Sequence, residues 1–194
     1  MIGAQELISS VYGAFRLALG REDGMTHFNV TLAGFWRSFF AAVLVTPGYL
    51  ILNLADPEVT APSADPIHDG LIYVLAYVIS WVAFPLAMVP VSSLLEREER
   101  FIPFIVANNW AAVPQICLLV AVTVVRAGLD LNEILSGFIG LATFGAILTY
   151  LWFVARTALK VPGFGAVGVV ALNVALTVVI SAAAKAFTAA APVQ

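Results

Sequence analysis

The chain has 194 residues, of which 61% are hydrophobic and 11% charged, and its formal net charge is −3. Soluble domains average about 45–50% apolar and about 25% charged residues, and a fold of this size leaves too much area exposed to hide such a surplus from water. A water-soluble globular domain is thereby excluded, the bilayer becomes the solvent for much of the surface, and the absence of a basic stripe leaves no footprint for nucleic acid. The single Cys117 lies in an apolar run, so one chain builds neither a disulfide framework nor a thiol–metal cluster. It reads as a small packing residue.

Residues 1–20 carry Glu6 and a delayed Arg16 in place of a basic start, an apolar block and a cleavage site. The first apolar span is therefore expected to do the targeting itself. Residues 4–20 have helical spacing, with Ile8, Val11, Tyr12, Phe15 and Leu19 on one side and Ser9, Gly13 and Arg16 on another. Leu7 and Leu17 blur the split. The pattern predicts an amphipathic helix that lies in the membrane interface or packs on the bundle, as a strut or as a sensor of partners or membrane shape. A polar turn, Gly20 to Gly24, ends it.

The first span is expected at about residues 35–54, long enough to cross at 1.5 Å per residue. Trp36 suits the aromatic interface, Arg37 can snorkel to the headgroups, and Pro47-Gly48 should kink the outer part. Residues 55–70 read as an acidic loop. Pro57, Pro62 and Pro66 oppose a regular helix there, and Asp56, Glu58, Asp65 and Asp69 supply the charge. Asp65, His68 and Asp69 offer cation-ligand atoms, but one histidine with flexible carboxylates and no spacing signature makes a poor metal site.

The second span, about 71–95, has Tyr73 and Tyr77 near its start, and Pro85 and Pro90 predict bending or local unwinding. Such breaks line transporter sites, although packing is the commoner cause. Glu96 to Arg100 is a charged connection, with Glu96 and Arg100 at i, i+4 if the helix continues. The third span is 101–125 and the fourth about 134–155. Gly137, Gly140 and Gly145 thin one side of the fourth, and Ser136 with Gly140, or Gly145 with Thr149, are small-xxx-small pairs for close helix contact. Lys160-Val161-Pro162-Gly163 makes a turn, the fifth span is about 165–187, and a short tail remains. There is no persuasive internal repeat, and an odd number of spans argues against a duplicated transporter.

Orientation follows from the cations. With the N-terminus inside, Arg16, Arg21, Arg37, Arg97, Arg100, Arg156 and Lys160 are cytoplasmic, against Arg126 and Lys185 outside. The twelve acids split evenly, so the asymmetry belongs to Lys and Arg, as the positive-inside rule requires. The expected object is an all-α, polytopic membrane helical bundle in a bacterial inner membrane, a single domain with a cytoplasmic N-terminus and a periplasmic C-terminus.

No Asp or Glu falls within these spans, which weakens a proton- or cation-coupled carrier. HExxH, GxSxG and Walker-type loops are absent, and both histidines lie outside the spans. An enzyme is the least supported class, and neither a cofactor nor a metal is implied. Neutral polar groups remain. Asn108, Ala111, Ala112 and Gln115 share one face of the third span, beside Asn109, and Pro114 removes a helix hydrogen bond there. Asn173, Thr177 and Ser181 form a row on the fifth. Unsatisfied polar groups cost about 2–7 kcal/mol when buried, so both rows must face protein or water. At similar depth, Asn108 and Asn173 are expected to pack spans three and five together through an amide cluster. The alternative is a polar pocket opened by the prolines.

Gly34-Phe35-Trp36-Arg37 and Trp152-Phe153-Val154-Ala155-Arg156 look like stretches of bacterial inner-membrane proteins. With a helix before five closely spaced spans and a very short tail, the outline resembles the Yip family of small membrane proteins. That resemblance implies a non-enzymatic helical bundle. The sequence thus points first to a structural or accessory protein that acts through membrane lipids, other membrane proteins or a second copy of itself. The second reading is a small channel or carrier for a neutral or lipid-like solute.

Overall fold

The computed structural model describes residues 2–56, 65–129 and 131–189. Pro57, Glu58 and Pro62 of the expected loop, and the tail from 190, lie outside the described residues. The described residues form seven α-helices: α1 (Ala4–Ala18), α2 (Leu32–Ser38), α3 (Phe40–Leu54), α4 (Pro66–Leu94), α5 (Phe101–Gly128), α6 (Glu133–Leu159) and α7 (Gly163–Ala189). Among the described residues there is no strand. Five stretches of the described residues are long and apolar enough to cross a membrane, namely α2 with α3, α4, Glu98–Gly128, α6 and α7.

Local chemistry sets most boundaries. Gly20, at φ +73°, closes α1, and the Arg21 amide reaches back to the Arg16 carbonyl at 3.0 Å. α4 starts earlier than the proline-rich loop suggested, because Pro66 occupies the first helical turn, where its missing N–H costs nothing. Asp65 caps that turn by accepting from the His68 amide at 3.0 Å. The stretch read as loop is therefore helical from Pro66 onward. At the other end α4 stops at Leu94, with Glu96 in the left-handed region (φ 55°). The expected i, i+4 pair of Glu96 with Arg100 does not form, and Arg100 approaches Glu99 instead.

The prolines do not interrupt the helices: α3 runs through Pro47, α4 through Pro85 and Pro90, and α5 through Pro114. The irregular point of the first span is Phe39, between α2 and α3. There the Ser38 hydroxyl donates to the Phe35 carbonyl at 2.7 Å, a back-bond of the kind that loosens a helix. Gly48 makes a close helix contact, since a Cβ there would come within 2.5 Å of the Ile116 side chain on α5.

The five spans form a ring. α3 packs on α5, α5 on α6, α6 on α7, and α7 on α4. Between α3 and α4 the ring closes largely through side chains: Tyr77 donates its hydroxyl to the Ala42 carbonyl at 2.7 Å and stacks on Tyr49 with ring centroids 4.7 Å apart. The α6 glycines do not serve this ring, for nothing lies within 4 Å of a Cβ placed at Gly137, Gly140 or Gly145. Of the small-xxx-small pairs, the glycines make no close contact with another helix, whereas Ser136 accepts a hydrogen bond from Arg126 of α5.

α1 docks across one end of the ring, against α5 and α6. Its buried face is Ser10, Gly13, Ala14 and Leu17, and the Tyr150 hydroxyl donates to the Ala14 carbonyl at 2.9 Å. Apart from Leu17, several of the larger apolar residues point away: Ile8 is 69% exposed and Leu19 75%, with Tyr12 and Phe15 also outside. Small residues allow close backbone approach, whereas bulky ones suit lipid. Gly13, placed by spacing on the polar side, is a contact point, because its carbonyl and that of Gly24 leave no room for a side chain on either residue.

Among the described residues, packing is densest at this α1 end. The buried residues of α4 lie in its second half (Phe84, Pro85, Met88, Ser92), those of α5 in its first half, and those of α6 from Tyr150 onward. Because alternate spans run in opposite directions, all of these fall at the same end. Trp110, Phe104 and Leu159 fill its centre. The far end is more open.

Candidate functional site: a polar chamber between the spans

The open half of the ring contains a cavity of about 300 Å³. α5 supplies Asn108, Asn109 and Gln115 to its wall, and α7 supplies Asn173 and Thr177. α3 and α4 contribute Tyr49, Tyr77, Ser80 and Trp81, with Phe84 and Pro85 toward the packed end. A second cavity of similar size shares Tyr49, Tyr77, Ser80 and Thr177 with the first, and continues past Ser181 and Asn53 to Asp56 and Lys185. The two adjoin through these shared residues, along a path from mid-bundle toward the far end. Among the described residues, none that lines the inner part is an acid, a lysine, an arginine or a histidine.

All six residues singled out in the sequence lie on this path, Asn108, Asn109, Gln115, Asn173 and Thr177 in the inner part and Thr177 and Ser181 in the outer. The structure does not join them as a direct lock. α5 and α7 make no extended contact, and no Asn108–Asn173 hydrogen bond occurs among the described residues. These helices face one another across the cavity. The amide that locks α5 is Asn109, 3% exposed, whose Nδ2 donates to Ser38 Oγ at 2.9 Å. Ser38 passes the bond on to the Phe35 carbonyl, so the chain Asn109–Ser38–Phe35 ties α5 to the irregular point of the first span.

The other polar groups are partly satisfied within their own helices. Gln115 Nε2 donates to the Ala111 carbonyl at 2.9 Å, beside the break in bonding left by Pro114. The Thr177 hydroxyl donates to the Asn173 carbonyl at 3.0 Å. Asn108 and Asn173, only half-buried, keep both donor and acceptor capacity toward the cavity.

Tyr49, Tyr77 and Ser80 were missed in the sequence, although Tyr73, Tyr77 and Ser80 fall at i, i+4, i+7 and Tyr49 and Asn53 at i, i+4. Those spacings mark a polar face on each of the first two spans. Arg37 also pairs with Glu6 of α1 at 2.7 Å, and Asn29 donates to the same carboxylate at 2.9 Å. Cys117 is exposed, so it does not serve as a packing residue.

Spans ringed around an uncharged polar chamber define a polytopic α-helical membrane protein. Comparison with family models, curated proteins and solved structures gave no match to the chain.

Proposed function

We propose that this is a non-enzymatic membrane protein that binds a small neutral, hydrogen-bonding solute in the chamber and passes it across the membrane as a carrier. The observation that carries the proposal is the convergence of Asn108, Asn109, Gln115 and Asn173 with Tyr49 and Tyr77 on one cavity. Polar groups at membrane depth are tolerated where they meet protein or line a hydrated space. The cavity is at the lower end of the range for small-molecule sites, about 300–1,000 Å³. Amides offer donors and acceptors together, and the uncharged inner wall gives an ion no partner. The aromatic rings would hold the apolar part of the solute. Since the packed α1 end closes the path, the reading is a carrier rather than an open pore. The cation asymmetry supports a cytoplasmic position for that closed end, in keeping with a bacterial inner membrane.

Osmotic swelling of proteoliposomes in glycerol, urea or glucose tests this. At least one solute should enter faster than into protein-free vesicles, and Asn108→Leu or Asn173→Leu should abolish the gain. No gain with any of the three, or a gain indifferent to both changes, would count decisively against the carrier.

A second reading, an accessory protein working through contacts with other membrane proteins, is favoured by the outward-facing Gly137, Gly140 and Gly145. The resemblance to the Yip family, read from architecture, supports the non-enzymatic part of both.

A further inference from the structure

Outside the chamber, α6 and α7 form an apolar groove of about 720 Å³ on the bundle surface. Phe144, Leu148 and Trp152 line one wall, and Val167, Ala171 and Ala175 the other. Each wall runs over nine residues of helix, eight rises or about 12 Å along the span. This matches the upper part of a lipid acyl chain. Trp152 sits at the α1 end of the groove and is held there by its indole N–H, which donates to the Gly163 carbonyl at 2.9 Å.

One turn beyond lies Arg156, its guanidinium 5.4 Å from the Trp152 ring centre. One turn further is Lys160, exposed and in the left-handed conformation that ends α6. Neither cation forms an ion pair among the described residues. The connecting turn from Lys160 to Gly163 holds no acid, and neither does the first turn of α7. Arg suits phosphate oxygens through its planar fork, and the ring contact leaves the guanidinium edge free to use it. Basic pockets between spans commonly hold anionic headgroups.

We infer that the α6–α7 groove is a binding site for an anionic phospholipid, with one acyl chain along Trp152 and Phe144 and the phosphate on Arg156 and Lys160. The site is independent of the chamber and of any transport through it. The lipid comes from the leaflet at the α1 end, where Trp152 and the cations coincide.

Native mass spectrometry of the full-length protein in neutral detergent, titrated with phosphatidylglycerol or phosphatidylcholine, tests the site. Wild-type protein should retain phosphatidylglycerol preferentially. Arg156→Gln with Lys160→Gln should weaken that preference about thirtyfold, each cation being worth roughly fivefold. Ala171→Trp, which fills the groove and leaves the cations in place, should weaken retention of both lipids. Equal retention of the two lipids by wild-type protein overturns the proposal, as does an undiminished preference in the double variant. A stable dimer that Ala171→Trp converts to monomer also overturns it, since the occupant is then a second copy of the chain.

Discussion

At the scale of single residues, the two asparagines next to each other in α5 have different surroundings. Asn109 is buried and bonded to Ser38, whereas Asn108 faces the chamber. Interhelical bonds of the first kind average about 0.6 kcal/mol and rarely exceed about 1.7. A double-mutant cycle of Asn109→Ala with Ser38→Ala, read by unfolding in mixed micelles, should therefore give a coupling of about 0.6–1.7 kcal/mol. The corresponding cycle for Asn108 and Asn173 should give none, and the opposite pattern would show that the lock lies between α5 and α7 after all. The polar face of α5 was legible in the sequence, because amides amid apolar residues must avoid lipid. The partner was not, since equal depth in the membrane fixes height but says nothing of which helices are neighbours around a ring.

Among the elements, α1 shows most clearly how far periodicity reaches. Spacing located the helix but assigned its faces by hydrophobicity, whereas beside a bilayer both faces can be apolar and size decides which one packs. At Gly13 the obstacle to a side chain is backbone, the Gly24 carbonyl at 2.7 Å from a Cβ. A Gly13→Leu change cannot be absorbed by a rotamer and should cost about 1–3 kcal/mol, as overpacking does. Faster hydrogen exchange over residues 4–18, with exchange in α7 unchanged, would report the loss of docking, while an unaltered α1 would contradict the contact. The same helix is clasped by Arg16, which bonds both carboxylate oxygens of Asp23, with Nε to Oδ1 at 2.8 Å. The bond from Arg16 holds the Asp23 carboxyl below its usual range. A carboxyl lowered in this way stabilises the fold fully above its ordinary pKa and gives that up as pH falls through the depressed value. Protection of α1 should therefore be flat from pH 8 to 5, after correction for intrinsic exchange, and fall below about pH 4. Asp23→Asn should remove that step, and a step that survives the change belongs to another group.

On the scale of the whole molecule, the asymmetry of packing could not be read from the chain, although the spans themselves could. Lipid is as apolar as a protein core, so no hydrophobic pattern separates a tightly packed half-helix from one that borders a cavity. What can be read is charge. Seven of the nine cations belong to elements gathered at the dense, α1-capped end: α1 and the segment after it, α2, the α4–α5 turn and the α6–α7 turn. The positive-inside rule then predicts that this end is cytoplasmic and that the chamber opens outward. Cys117 is the only cysteine, so a Cys117→Ser background allows one reporter at a time. Glu99→Cys marks the α4–α5 turn and Glu133→Cys the start of α6, and both positions are exposed. In intact cells with a permeable outer membrane, a membrane-impermeant maleimide should label the Glu133→Cys variant at once and the Glu99→Cys variant only after lysis. Reversal of the two would turn the chamber toward the cytoplasm, and labelling of both before lysis would mean that α5 does not cross.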